Sequence, residues 1–362
     1  MSFTPKFAFV LPTVKKKINC GGYLTSMEVA KALSKHAEVK CVSYGEKEEG
    51  VWYLPEVIDK LIADNYILVL LWGIDVNDHI NQLYGTLPIV YYYQGVDFGV
   101  RLRPDIPIMT HGHFLMFHAL EAFPGNPLFY FPRILEPIYQ DFGKPRDIDV
   151  LIIKRKQPKY IVEDIPRLLE GKCKVHVETE FLSIPELVTL YNRSKVYVYA
   201  FDAQPSPYAA NGWRTMEGFG NQPIEAAACG CSVLTDCRGG NGDFIEPWIN
   251  AYHLRAHSPE WDVQQILHAI SHYPNLEIEE RKQFLKAQYG DDAFAKRAEA
   301  FIDFLRTYIP FSRTHEPQAH RLNFPSLQAN ESPMDSDEHP FIETLRLRCR
   351  RNYLRLLRRL KG

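Results

Sequence analysis

The sequence contains no hydrophobic run long enough to cross a bilayer. Its longest, Tyr66–Trp72, falls well short of the roughly 18 apolar residues of a membrane span, and Phe7–Leu11 is shorter than the core of a secretory signal. A cytoplasmic protein is expected. Charge of one sign is also missing: 42 lysines and arginines stand against 44 aspartates and glutamates, for a formal net charge of −2. The global balance therefore gives no sign of a nucleic-acid binder. The seven cysteines include no C-x-x-C pair, and an odd number in a long chain argues against a secreted disulfide framework. Cys229 and Cys231 flank Gly230 and stand near Cys237, but no histidine or fourth cysteine lies at zinc-finger distance, so no metal site is assigned. No internal repeat of solenoid period is present.

What the sequence does have is length and apolar content. At 362 residues and 46% hydrophobic it exceeds the roughly 150 residues of one typical domain, and two domains are expected. Phe7–Leu11 reads as a buried strand, followed by the basic loop Lys15, Lys16 and Lys17, by Gly21 and Gly22, and by Thr25–Glu28, a capping box from which a helix should run to about Lys35. Val39–Tyr44, Ile67–Leu71 and Pro88–Tyr93 read as strands and Val57–Ala63 as a helix, an alternation that points to βαβ units and a mostly parallel sheet. Glu136–Asp149 mixes proline, glycine and charge as an interdomain linker does.

The alternation then restarts: strand Val150–Ile153, helix Ile161–Leu169, strand Lys174–Glu178, helix Ile184–Asn192, strand Val196–Ala200, a short helix Pro223–Ala228, strand Ser232–Thr235 and a longer helix Ala293–Tyr308 ending at Pro310. The fold class is α/β, with a first domain over 1–143, a second over 144–310, a poorly ordered tether over 311–340 rich in Pro, Ser, His and Asn, and a tail over 341–362. In the tail Arg346, Arg348, Arg350, Arg351, Arg355, Arg358, Arg359 and Lys361 oppose one acid, Glu343, while Leu345, Cys349, Tyr353, Leu356 and Leu360 recur at helical spacing. Such a basic amphipathic helix suits an anionic membrane surface, and equally a partner groove.

The most informative segment is Glu217–Thr235. Gly218 and Gly220 around Phe219 let a backbone approach a ligand closely, Pro223 presets a first helical turn, and the free amides of that turn, with Asn221 and Gln222 beside them, favour an anion. Glu225 falls in the same turn, where the helix dipole stabilises a carboxylate; it reads as a ligand contact or simply as a dipole-satisfying residue. Glu217 and Glu225 with seven residues between them, the Gly218, Phe219, Gly220 run, and the alanine-rich helix closed by Gly230 together resemble the donor-site signature of the GT4 family of retaining glycosyltransferases, the group 1 glycosyl transferases of the GT-B fold.

The resemblance implies two Rossmann-like doubly wound domains facing across a cleft, the first on the acceptor side and the second binding the donor. It implies that the amides after Glu217 hold sugar and phosphates, that Glu217 contacts a sugar hydroxyl and that Glu225 binds the nucleotide ribose. Gly239, Gly240, Asp243 and Asn250 match the loop that follows in the family. The family carries a basic pair after the first strand of this domain, which implies that Arg155 and Lys159 stabilise the departing diphosphate; Lys154 stands where the family has glycine, which leaves Lys154 and Arg155 as alternatives. Gly22, in the loop after the first strand, would approach the diphosphate across the cleft.

One departure concerns the position where the family has a histidine facing the reacting sugar. Here it is Gln94, which can donate a hydrogen bond but cannot take a proton. Asp97, His111 and His113 follow closely and are acceptor-side candidates. Asp147 and Asp149 superficially resemble a metal-binding Asp-x-Asp, but charged residues are expected in a linker, and no metal is assigned. Gln204–Thr215 reads as an acceptor loop or a surface insertion. The expected function is transfer of a sugar from a nucleotide-diphosphate sugar, a co-substrate in place of any cofactor, to a glycan or lipid-linked acceptor with retention. The alternative is a catalytically silent GT-B protein that binds a sugar nucleotide or scaffolds a glycan assembly complex.

Overall fold

The computed structural model describes residues 3–314 apart from 16–20, 72–75, 97–98, 156, 203, 206–212, 215, 237, 244–250, 255–257 and 275–276. Asp97, most of the 204–215 loop, the tether beyond Thr314 and the basic tail lie outside the described residues.

The first domain is built from β1 (Lys6–Leu11), α1 (Gly21–Leu33), β2 (Glu38–Ser43), β3 (Trp52–Tyr53), α2 (Leu54–Ala63), β4 (Tyr66–Leu71), α3 (Val76–Leu83), β5 (Ile89–Tyr93), β6 (Ile108–Thr110), α4 (His113–Ala122) and β7 (Leu128–Tyr130). The strands form one parallel sheet in the order β3-β2-β1-β4-β5-β6-β7. Every residue of β4 and β5 is buried, because a parallel sheet carries helices on both faces and its central strands must be apolar throughout.

The second domain comprises β8 (Ile148–Ile153), a π-helical turn (Tyr160–Asp164), α5 (Ile165–Leu169), β9 (Val175–Glu178), α6 (Ile184–Arg193), β10 (Ser194–Tyr199), a small antiparallel pair β11 (Gln204–Pro205) and β12 (Trp213–Arg214), α7 (Asn221–Ala228), β13 (Ser232–Thr235), a 3-10 turn (Gly239–Asp243), β14 (Ala251–His253), α8 (Pro259–Ser271) and α9 (Glu277–Tyr289). Its parallel sheet runs β14-β13-β10-β8-β9. Strand order reverses beside β1 in the first sheet and beside β8 in the second, and ligands of open α/β sheets bind at the carboxyl ends of strands at such points.

Four sequence expectations are corrected. α1 begins at Gly21, so Thr25–Glu28 is not its cap: Thr25 and Ser26 are buried in the helix, and Ser26 Oγ donates to the Gly22 carbonyl one turn back. The helix expected over Ile161–Leu169 is divided into a π-helical turn and α5. Part of the expected linker packs on the second domain: Tyr139 joins its core, and buried Arg146 donates to the carbonyls of Tyr191, Ser194 and Cys229.

The fourth correction concerns the last helix, α10 (Asp291–Ser312), which continues past Pro310 and leaves the second domain's core for the first domain's. Its Phe294, Ala298, Phe301, Ile302, Leu305 and Ile309, an i, i+3, i+4 stripe, pack into the first domain's core with Phe7, Phe9 and Val29, while Arg297 on the helix donates to the Gln288 carbonyl of α9 at 2.6 Å. Phe301 meets the rings of Phe7, Phe129 and Phe131 at 6.2, 5.0 and 5.5 Å. The second domain therefore ends near Tyr289, which lies in its own core, and α10 belongs structurally to the first. No described helix is long and apolar enough to cross a membrane.

Candidate functional site

The carboxyl end of the first sheet meets the second domain along a close seam. Gln94 follows β5, His111 follows β6, and the segment Glu217–Gly220 leads into α7 opposite them. Gly218 is packed so tightly against the Gln94 carbonyl that a Cβ there would overlap it. Gly220 caps α7 in a left-handed conformation, φ 84° and ψ 58°, and among the described residues no side chain accepts from the amides of Asn221 or Gln222. Only glycine adopts this at little cost, and the amides of Asn221 and Gln222 in the first turn of α7 have no carbonyl partner within the helix.

Three helices start here. Gly21, the first residue of α1, stands against the Asn221 side chain at the head of α7, and Asn221 Nδ2 lies 3.4 Å from Thr25 Oγ1. α4 begins after Gly112, and its end is held by Asp243 from the second domain, whose Oδ1 accepts from Phe114 N at 2.9 Å. Burial raises the Asp243 carboxyl to about 6 against the lowering effect of the amides of Phe114 and His113. Among the described residues, Gln94 Oε1, Asn221 Oδ1, Asn241 Oδ1 and Asp243 Oδ2 are buried acceptors without a donor, a cost that native proteins seldom bear unless something else fills the need.

The two glutamates of the motif occupy different environments. Glu217 is half-buried; Oε2 accepts from Tyr199 at the end of β10 at 3.1 Å, Oε1 accepts from the Gly218 amide, and its carbonyl accepts from Gly240 at 2.8 Å. Glu225 is buried, 2.7 Å from the Arg133 guanidinium, which also reaches Glu28 of α1 at 2.8 Å. Burial raises the Glu225 carboxyl and Arg133 lowers it. The expected ribose ligand is thus engaged with the first domain in this structure. Sequence reasoning missed Arg133 altogether and assigned Glu28 to a cap; an arginine in the loop after a strand carries no motif.

The other candidates divide between seam and surface. Gln94 Nε2 donates to Ser26 Oγ at 2.9 Å, and Phe219 is buried against His111, with ring centroids 4.5 Å apart. His111 is itself buried with Nδ1 3.1 Å from the Tyr92 hydroxyl, and burial pushes its pKa down to about 3. His113 is exposed and stacks on Tyr130 at 4.0 Å. Gln222 accepts from the Tyr197 hydroxyl at 3.2 Å, and Gly22 lies in the first turn of α1. Arg155 and Lys159 lie beyond the carboxyl end of β8 but are exposed: Arg155 leans over Phe181 at 5.6 Å, and Lys159 pairs with Glu163 one turn on. Asp147 and Asp149 pair with Arg193 and Lys195 at 2.6 and 2.7 Å, the neutralised surface acids of an ordinary strand start.

Residues 168–291 match the family model described as Glycosyl transferases group 1. No relative of the chain was found among curated proteins. Among solved structures, a glycosyltransferase from Rickettsia africae superposes with a TM-score of 0.62 at 12% identity, covering 84% of this chain and 99% of that one. Sucrose-phosphate synthase from Thermosynechococcus elongatus gives 0.58 at 12% identity over 86% and 100% of the two chains. HepE of Anabaena, solved with UDP and glucose, gives 0.54 at 11% identity over 83% and 100%. Identities this low speak to the fold alone, and that fold is GT-B.

Proposed function

We propose, from the GT-B fold and the match of residues 168–291 to the group 1 glycosyl transferases, that the chain binds a nucleotide-diphosphate sugar at the seam and transfers the sugar to a hydroxyl of a glycan or lipid-linked acceptor. The observation that carries this reading is the uncapped N-terminus of α7, opposed by the start of α1, among buried oxygens that lack hydrogen-bond donors. Helix ends of this sign favour a diphosphate, and lone acceptor oxygens suit sugar hydroxyls. UDP and glucose bound to the HepE structure are of the same chemical kind.

The division of labour follows from the groups present. The α7 amides hold the diphosphate and stabilise the charge that develops on it as the sugar leaves. Glu217, held by Tyr199, accepts from a sugar hydroxyl, and Gln94 can donate to another. Arg155 and Lys159 supply outer positive charge at the carboxyl end of β8. The bond from the anomeric carbon to the phosphate oxygen breaks as the acceptor oxygen bonds to that carbon. Gln94 cannot take the acceptor proton, and His111, at about 3, is a poor base at neutral pH; that the proton passes to the departing phosphate oxygen is what the resemblance to the family implies. Attack on the same face, with retention, is what the resemblance to GT4 enzymes implies.

The silent-binder reading draws on one observation, the Gln94 side chain in place of a histidine and tied to Ser26. Donor hydrolysis and binding, measured for the intact chain and for Glu217→Ala, decide between the two. Transfer is expected to drop by about 10²–10³-fold in the variant while nucleotide binding survives. Turnover unaltered by the substitution sinks the role of Glu217, and binding without turnover on any acceptor supports the silent protein.

A further inference from the structure

Arg133 is a single buried cation shared by two carboxylates from opposite domains. Its side chain is 2% exposed, Nη1 stands 2.7 Å from Glu225 on α7, and Nη2 stands 2.8 Å from Glu28 on α1. Tyr139 adds a hydrogen bond to Glu225, and a further acid that raises both carboxyls, Glu136, pairs with Lys31 at 3.8 Å. With both carboxyls ionised the cluster would carry one negative charge in excess, and Glu28 and Glu225 would repel each other across the cation they share. Burial and that repulsion raise the Glu28 carboxyl to about 7 in spite of Arg133.

Glu225 is 8% exposed at the side chain and turned to the first domain, so its carboxylate is not open to a ribose. The seam is closed as well, since Gly218 touches the Gln94 backbone where a sugar would have to enter. A nucleotide sugar can enter only if the domains part, and parting them draws Arg133, rooted after β7, away from Glu225.

We propose that Glu28, Arg133 and Glu225 form an interdomain clasp, in which Arg133 is the positioning residue that keeps Glu225 from the nucleotide until the seam opens. The proposal rests on the reading of Glu225 as a ribose ligand. Its consequence is a reduced apparent affinity: when only a fraction of the chains is competent to bind, the measured dissociation constant is the intrinsic one divided by that fraction. Loosening the clasp raises the fraction, and tightening it lowers it.

Two substitutions move the clasp in opposite directions. Arg133→Met removes the cation and keeps an unbranched apolar side chain. Glu28→Gln keeps the shape and the cation but removes the charge that competes with Glu225, so the remaining pair tightens. Titration calorimetry of the full chain with UDP, GDP and ADP, alongside the radius of gyration from small-angle scattering, reads both. For whichever nucleotide binds, Arg133→Met is expected to bind up to about tenfold more tightly and to be wider without ligand; Glu28→Gln is expected to bind several-fold more weakly.

An Arg133→Met chain with native circular dichroism that binds nucleotide no better than wild type would mean that Arg133 merely orients Glu225, and the clasp is overturned. If that variant does not fold, Glu28→Gln decides alone, since a structural hydrogen bond far from the ribose would leave affinity unmoved or improve it. A wild-type chain that binds none of the three nucleotides sinks the nucleotide reading and the clasp with it. Wild-type binding with unaffected variants sinks the clasp only.

Discussion

Two helices begin on the same seam and are finished in different ways. α4 has its first amides bound by Asp243, a carboxylate reaching over from the other domain, with Phe114 N at 2.9 Å. α7 follows Gly220, and among the described residues no side chain accepts from the amides of Asn221 or Gln222. Both ends carry the partial positive charge of an aligned helix. At α4 the protein supplies the anion itself and gains a tie between domains. At α7 no described side chain supplies one, and that is the end which the proposed function gives to the ligand.

The comparison breaks most decisively at Gly218. An added methyl group at Gly218→Ala overlaps the Gln94 carbonyl and must shift the α7 end relative to the first domain. Overpacking of this sort costs about 1–3 kcal/mol of stability. A displacement of about 1 Å at a reacting centre can cost on the order of 10²-fold in rate, so transfer should fall far more than stability. Denaturant titration beside a transfer assay checks both, and a variant with wild-type turnover would show that the α7 end takes no part in the chemistry.

A smaller effect separates burial from helix end at Asp243. Its carboxyl titrates near 6 because burial outweighs the α4 amides. The unfolded chain takes up this proton only near the ordinary aspartate value of about 3.9, whereas the folded chain takes it up below about 6, so the native state binds more protons between the two. Its stability relative to Asp243→Asn should therefore rise as pH falls from about 6 to about 4, and Glu28, present in both chains, cancels in the difference. Urea denaturation of the pair at pH 7 and pH 5 measures it. A difference that shrinks toward pH 5 would mean the helix end holds Asp243 as a carboxylate, and α4 would then be the stronger anion site.

How much of this was readable from residues alone depends on whether a feature is local. Gly218, Gly220 and Pro223 declare a close approach and a helix start within six residues, and the parallel strands declare themselves by continuous apolar runs. Arg133, Glu28 and Asp243 carry no such mark, because their partners lie on other elements and are chosen by tertiary packing. Thr25–Glu28 shows the hazard: the spacing is that of a capping box, yet the helix had already begun at Gly21 and turned Thr25 and Ser26 inward. α10 reads as an amphipathic helix of either domain, since a stripe of Phe294, Phe301 and Leu305 says that it is buried and not against which sheet.

The smallest expected effect lies at the basic turn after β8. Arg155 and Lys159 are the positive side chains that a motif reader chooses first, yet the Lys159 side chain is 81% exposed and is paired with Glu163. Exposed charges are screened within a Debye length of about 8 Å at physiological salt and are worth about 0–1 kcal/mol, whereas the α7 amides of half-buried Asn221 and Gln222 are fixed in the backbone. Arg155→Ala and Lys159→Ala should each weaken nucleotide binding by no more than about threefold at physiological salt, and the loss should fade as salt is raised. Titrations at low and high ionic strength test this. A loss of tenfold or more that persists in high salt would mean that these side chains swing into the opened seam and grip the diphosphate, and the α7 end would then be its second contact.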